Sequence, residues 1–162
     1  TLNEVCNEMK ISFFTDRDKK KLIMLWHKLD PWNDSCEAIK KLSESYITSS
    51  LSNGNLLLQE NLIENAKLKF DFIFSAEHFK KYKPEKVVYL GSANYLNLVP
   101  NECALVASHK SDLLAASKLG FKTIFINRPN EYGIYKNKFK EVSFNAEIIV
   151  NSLMEVSNKI KN

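Results

Sequence analysis

The sequence predicts an α/β protein in which helices cover both faces of a parallel β-sheet. From Tyr46 onward, short runs rich in β-branched and aromatic residues alternate with segments that have the apolar spacing of helices. Single helices between strands are typical of parallel sheets, because parallel neighbours require a crossover connection. A length of 162 residues with 44% apolar and 26% charged residues is sufficient for one globular domain, with or without a small appendage.

Two helices are predicted before this alternating region. Thr15 and Asp18 form a capping pattern for the first helix, and Pro31 ends it. The second helix is predicted to begin near Asp34 or Ser35. The apolar positions are Leu22, Leu25, Trp26 and Leu29 in the first helix, and Ala38, Ile39 and Leu42 in the second.

Strands and helices then follow each other to the end of the chain. The predicted strands are residues 46–51, 70–75, 104–107, 122–127 and 147–150. The predicted helices are residues 56–67, 84–96 and 112–119, with Gly120 closing the last of these, and a terminal helix begins at Ser152. No internal repeat or low-complexity segment interrupts the pattern.

Composition and charge argue against several classes of partner. The net charge is +4, but 21 of the 23 basic residues are lysines spread along the chain, unlike the clustered arginines of a nucleic-acid site. No apolar run approaches the roughly 18 residues of a membrane span. Cys6, Cys36 and Cys103 have neither CxxC spacing nor an even count, so we expect free thiols in the cytoplasm.

Polar residues follow three of the predicted strands, at the sheet edge where α/β proteins bind ligands. Ser52 and Asn53 follow the first strand, and a hydroxyl with free backbone N–H groups there can hold a carboxylate. The same residues are also typical of an ordinary βα turn, and the sequence does not separate these two interpretations.

Lys83, His109 and Asp112 reach the same edge from two other loops. Lys83 precedes a helix that carries Tyr89, and it can neutralise and orient a nearby carboxylate, although most lysines are simply solvated. His109 and Asp112 follow a buried strand, where a single Asp is usually a helix cap and a single His is usually structural. Their convergence with Ser52 and Lys83 is what favours a catalytic site.

These residues belong to a series of motifs that resembles the type II 2-haloacid dehalogenases of the haloacid dehalogenase superfamily. The motifs occur in the family's order and cover nearly the whole chain. They are Leu25-Trp26-His27-Lys28-Leu29-Asp30-Pro31-Trp32, Leu51-Ser52-Asn53-Gly54-Asn55, Ala76-Glu77, Tyr82-Lys83-Pro84 with Val88-Tyr89, Val106-Ala107-Ser108-His109 with Asp112-Leu113, and Arg128-Pro129 with Glu131-Tyr132-Gly133.

The resemblance implies a Rossmann-like core and hydrolysis of short 2-haloacids to 2-hydroxyacids, with inversion, through an aspartyl ester and without a cofactor or metal. Ser52 would bind the substrate carboxylate and Asn53 would receive the halide. Lys83 would pair with the nucleophile, and Tyr89 would support that network. Asp112 and His109 would position or activate the water. Relatives are often dimers, so a homodimer is a further expectation. Many relatives have Asn at the position of His109 and Ser at that of Ala107.

The resemblance also implies parts that lie upstream of Thr1. These are the nucleophilic Asp on the first core strand, much of a helical cap and a halide-binding Arg. Residues 1–31 would be the C-terminal part of the cap, and residues 32–162 a core without its first strand. That strand would lie between the strands at 46–51 and 104–107, so we expect a gap in the sheet and poor stability of the 162 residues alone.

Two other functions compete with the dehalogenase. A phosphatase of the same superfamily needs Mg²⁺ and an acidic ligand four residues before the position of Asp112, where this chain has Ser108. The second alternative is that the chain is a non-catalytic remnant. A stop codon directly upstream of Thr1 would favour that alternative.

Overall fold

The computed structural model describes residues 1–131 and 143–160, so the Tyr132-Gly133 part of the last motif lies outside the described residues. The α/β class is confirmed, with parallel strands flanked by helices. The helices are α1 Leu2–Glu8, α2 Asp16–Leu25, α3 Ser35–Ser43, α4 Leu56–Ala66, α5 Ala76–Phe79, α6 Lys86–Tyr95, α7 Lys110–Ser117 and α8 Leu153–Lys159. The strands are β1 Ser49–Ser52, β2 Phe72–Ser75, β3 Ala104–Ala107, β4 Lys122–Ile126 and β5 Ile148–Val150.

The described strands form two parallel sheets. β1 pairs with β2, starting at Ser49 opposite Phe72, while β3, β4 and β5 pair in that order. β1 and β3 do not pair with each other; each is an edge strand. A groove of about 560 Å³ runs between them and is lined by Leu51 of β1 and by Leu105 and Val106 of β3. The predicted gap between these two strands is therefore present.

Two apolar clusters cover opposite faces of the three-stranded sheet. Alternate side chains of a strand point to opposite faces, so Val106 packs on one cluster and Leu105 on the other. The first cluster contains Leu42, Ile124, Ile126, Val150 and Val156, with α3 and α8 on that face. The second contains Tyr89, Ala93, Ala116 and Phe121, with α6 and α7 on that face.

The predictions at the N-terminus were partly correct. Thr15 and Asp18 form the predicted capping box of α2. The α-helix ends at Leu25, and a 3₁₀ turn, Trp26–Lys28, follows it. Neither element contains a buried residue, and the side chain of Trp26 is 63% exposed. The apolar spacing of α2 therefore does not mark a face buried within the described residues.

Other boundaries moved by a few residues, and two short helices were missed. β1 begins at Ser49 rather than Tyr46, α6 begins at Lys86 rather than Pro84, and α7 begins at Lys110 rather than Asp112. α1 and α5 have seven and four residues, too short for apolar periodicity to be recognised. In the part of the chain that the structure describes, no helix is long and apolar enough to span a membrane.

Asp34 links the segment before α3 to Arg128 and to the first residue of α8. Its carboxylate accepts hydrogen bonds from Arg128 Nη2, at 2.8 and 3.0 Å, and from the backbone N–H of Leu153 at 2.6 Å. The Arg128 guanidinium also lies 4.8 Å from the centre of the Trp32 ring. Burial acts to raise the pKa of Asp34, but these hydrogen bonds and the guanidinium charge outweigh it and the pKa is lowered.

We expect this ion pair to open in acid. A carboxyl group whose folded pKa is lowered stabilises the fold above its unfolded value of about 3.9, and that stability is lost as the pH falls through the folded pKa. In a Trp26→Phe background, Trp32 fluorescence should stay constant from neutral pH to about 4 and change below it. Asp34→Asn should remove this step, while Asp16→Asn on exposed α2 should keep it. An unchanged acid transition in Asp34→Asn would contradict the assignment.

Candidate active site

A cavity of about 530 Å³ opens where the carboxyl ends of β1 and β3 approach each other. All six side chains that the sequence predicted for a site line this cavity: Ser52, Asn53, Lys83, Tyr89, His109 and Asp112. They come from the end of β1 and from later loops and helices, up to 60 residues apart in the chain, and the parallel strands bring them together. Their convergence is a structural finding, while their catalytic roles remain predictions.

Asp112 is the centre of the hydrogen-bond network in this cavity. Lys83 Nζ donates to Oδ2 and the Tyr89 hydroxyl donates to Oδ1, both at 2.5 Å. The side chains of Lys83 and Asp112 are each 17% exposed. Burial, followed by the hydrogen bond to Asp112 and its charge, raises the pKa of Tyr89 well above the usual value of a phenol, so this hydroxyl remains a donor at neutral pH.

Lys83 was predicted to neutralise and orient a carboxylate, and in the structure that carboxylate belongs to Asp112. The backbone of Lys83 is held by Asn53, whose Oδ1 accepts from the Lys83 N–H at 2.7 Å and whose Nδ2 donates to the Lys83 carbonyl at 3.2 Å. The Asn53 amide thus positions Lys83. The Asn53 Nδ2 group has a second N–H that this bond does not use. The role of Asn53 in receiving the halide stays a prediction.

The turn after β1 has features of an ordinary βα turn and also of a site that can bind a carboxylate. Ser52 Oγ accepts from the Gly54 N–H at 3.0 Å, as in a simple turn, yet its own O–H is not used by that bond. Buried Gln59 fixes the turn, because its Nε2 donates to the carbonyls of Gly54 and Phe74. Ser75 Oγ also donates to the Gly54 carbonyl.

His109 lies at the rim of the cavity, immediately before α7. It gives α7 no side-chain cap; instead its Nε2 lies 2.8 Å from Oε1 of Glu131. Glu131 follows β4, the strand next to β3. The imidazole therefore links loops that follow two neighbouring strands.

Several polar residues of the predicted motifs have structural partners instead. Glu77 Oε2 accepts from the Leu56 N–H at 2.7 Å and so stabilises the N-terminus of α4. Arg128 is bound to Asp34 and is not among the residues that line the cavity. Among the described residues, no group of three or more His, Cys, Asp or Glu side chains is arranged to hold a metal ion.

Sequence reasoning missed two residues that support the site. Gln59 shares one face of α4 with Leu56, Ile63 and Ala66 at helical spacing, and a polar residue on that apolar face suggests a buried amide with specific partners. Glu131 was named only as part of a motif. Its place after β4 follows the same strand-end rule that identified Ser52 and Asp112.

Comparison with known proteins places this geometry in a family. Residues 2–126 match the family model of the haloacid dehalogenase-like hydrolases. The chain is 37% identical over 120 residues to (S)-2-haloacid dehalogenase 4A of Burkholderia cepacia, an alignment that covers 70% of this chain and 52% of the relative. The chain thus spans about half the length of that relative.

Solved structures agree with this match. The crystal structure of the L-2-haloacid dehalogenase PA0810 superposes with a TM-score of 0.91 and 33% identity, over 98% of this chain and 70% of that one. The defluorinating L-2-haloacid dehalogenase Rha0230 gives a TM-score of 0.89 and 31% identity, over 99% and 66%. With the family model matching well over half of its residues, the chain belongs to the haloacid dehalogenase-like hydrolase family.

Proposed function

We propose that this chain provides the substrate-binding and water-positioning residues of a metal-independent 2-haloacid dehalogenase. One observation carries the proposal: Lys83 and Asp112 line both the cavity and the groove between β1 and β3. A parallel strand placed in that groove would end at this ion pair. An aspartate at its carboxyl end would then meet the Lys83 ammonium, which has two N–H donors beyond the one given to Asp112.

The proposed reaction has two steps. The aspartate of the added strand attacks C2 of the haloacid, forming a C–O bond as the carbon–halogen bond breaks and halide leaves. Water then hydrolyses the ester, returning the carboxylate and releasing the 2-hydroxyacid. Ser52 donates its hydroxyl to the substrate carboxylate, Lys83 orients the nucleophile, and Asp112 with His109 positions the water. PA0810 and Rha0230 are both L-2-haloacid dehalogenases, and this supports the substrate class.

We further propose a domain organisation, a partner and a location for this chain. Residues 1–31 form part of a cap, consistent with the exposed apolar side chains of α2, and residues 32–162 form the core. The partner is a small 2-haloacid, with neither nucleic acid nor membrane involved, and the working form is a homodimer. A cytoplasmic location is consistent with the free thiols of Cys6, Cys36 and Cys103.

The experiment joins to the N-terminus of the chain the corresponding upstream region of a related (S)-2-haloacid dehalogenase, which carries the Asp-containing strand, the rest of the cap and the halide-binding Arg. The resulting complemented protein should release chloride from 2-chloropropionate, and EDTA should not change the rate. The same preparation is tested with phosphate monoesters. EDTA-sensitive phosphate release without chloride release would replace the proposal with a Mg²⁺-dependent phosphatase. Complemented protein that unfolds cooperatively but releases neither product would favour the non-catalytic remnant.

A further inference from the structure

Gln59 is a buried amide on α4 with no assigned role in the reaction proposed above. The residue is only 5% exposed. Its Nε2 donates to the carbonyls of Gly54 and Phe74, at 3.1 and 3.2 Å, and its Oε1 accepts from the Ser50 hydroxyl at 2.8 Å. Both N–H groups of the amide are therefore in use, and the contact with Ser50 fixes which end of the amide faces the two carbonyls. Gln59 thus ties the Gly54 carbonyl to β1 and β2.

The backbone of Gly54 is held against Ser52. The Gly54 carbonyl accepts a second hydrogen bond from the Ser75 hydroxyl at 2.8 Å, and the Gly54 N–H donates to Ser52 Oγ at 3.0 Å. A Cβ atom added to Gly54 would lie 3.3 Å from Ser52 Oγ and 3.2 Å from Leu58 Cδ2, so the contact is already close. Because the Gly54 N–H occupies an acceptor position of Ser52 Oγ, the O–H of Ser52 must point in another direction, and Ser52 lines the cavity.

Two backbone N–H groups at the start of α4 already have side-chain partners. The Leu56 N–H donates to Glu77 Oε2 at 2.7 Å. The Leu58 N–H donates to Asn55 Oδ1, also at 2.7 Å. These groups are the kind of donor that would otherwise bind an anion at a helix N-terminus. Recognition of a carboxylate at this turn therefore depends more strongly on the hydroxyl of Ser52.

We propose that Gln59 is a positioning residue for substrate binding. By holding the Gly54 carbonyl, it keeps the Gly54 N–H on Ser52 Oγ and so directs the Ser52 O–H to the substrate carboxylate. This proposal rests on the proposed dehalogenation, in which Ser52 binds that carboxylate. The carboxylate is not the group that reacts, so its hydrogen bond is present in the bound substrate and in the transition state alike. Loss of such uniform binding raises KM and leaves kcat nearly unchanged.

The first test is amide hydrogen exchange of the complemented protein, measured by NMR, and it does not depend on turnover. Gln59→Met keeps the length of the side chain and removes the amide. It should accelerate exchange of the Gly54 N–H roughly 10-fold, within the effect of one or two ordinary hydrogen bonds. The acceleration should be larger than that of the Ile124 N–H in β4, which follows global unfolding. Glu60→Met, a matched change on the exposed face of α4, should leave both rates unchanged.

The second test is steady-state kinetics of the complemented protein with 2-chloropropionate. Gln59→Met should raise KM about 10-fold and change kcat by less than about 2-fold, as expected for a weakened hydrogen bond to a charged group that does not react. Glu60→Met should change neither constant. In a Ser52→Ala background, Gln59→Met should raise KM no further, because the hydroxyl that Gln59 positions is then absent.

Three results would overturn the positioning role of Gln59. They are exchange at Gly54 that accelerates no more than exchange at Ile124, a fall in kcat with KM unchanged, and the same increase in KM with and without the Ser52 hydroxyl. If the wild-type complemented protein releases no halide, the proposed dehalogenation fails, while exchange at Gly54 still decides whether Gln59 holds the turn.

Discussion

Replacing Lys83 with methionine in the complemented protein is expected to lower halide release by at least about 10³-fold, near the upper end of what one electrostatic group contributes to catalysis. Methionine keeps much of the length of the side chain but removes the ammonium. The Asp112 carboxylate then keeps one of its two short hydrogen bonds and loses its counter-ion. The proposed nucleophile loses the charge that orients it at the same time.

The same replacement should also reduce stability. Removing one partner of a buried ion pair lowers the free energy of unfolding by about 3–5 kcal/mol. Lys83 and Asp112 are each 17% exposed, so solvent screening should make the loss smaller than this. Urea unfolding of the complemented protein measures this cost. Lys83→Arg, which retains the charge, should be less destabilised, and Lys83→Met with Asp112→Leu should be less destabilised than the sum of the single variants. Additive effects would mean that the ion pair contributes little.

The 162 residues alone are expected to unfold without a sharp thermal transition and to associate. β1 and β3 each have an unpaired edge, and the apolar groove between them is open. Unpaired backbone groups and apolar surface at strand edges favour pairing with another chain. Circular dichroism during heating and sedimentation velocity should therefore show a broad transition and oligomers.

Adding the upstream region with its Asp-containing strand should convert this behaviour to a cooperative transition of a defined species. The matched control is the same region with two central residues of its strand changed to proline, which lacks the N–H group needed for pairing. That control should not stabilise the chain. A cooperative transition of a strictly monomeric 162-residue chain without any added segment would disprove the prediction.

Much of the candidate site could be predicted because its signals are local. Ser52 is the last residue of β1, Lys83 lies in the connection after β2 and α5, and His109 and Asp112 follow β3. Short-range patterns reveal these strands, and parallel strands place their carboxyl ends at one edge.

The helix cap at Thr15 is equally local, since it depends on Asp18, three positions away. The start of β1 was less accurate because its pairing with β2 begins only at Ser49, opposite Phe72. The start of α6 was less accurate because no side-chain cap marks it.

The amino-acid sequence by itself determined the α/β class, the positions of most helices and strands, and the edge of the sheet at which the polar residues meet. Only the tertiary structure decided which groups pair there. Asp112 binds Lys83 and Tyr89, Asn53 holds the Lys83 backbone, and Glu131 binds His109. These contacts join residues 22 to 30 positions apart, so they depend on strand order and helix packing. Periodicity reports which face a side chain occupies, but not the atom that it reaches across the sheet.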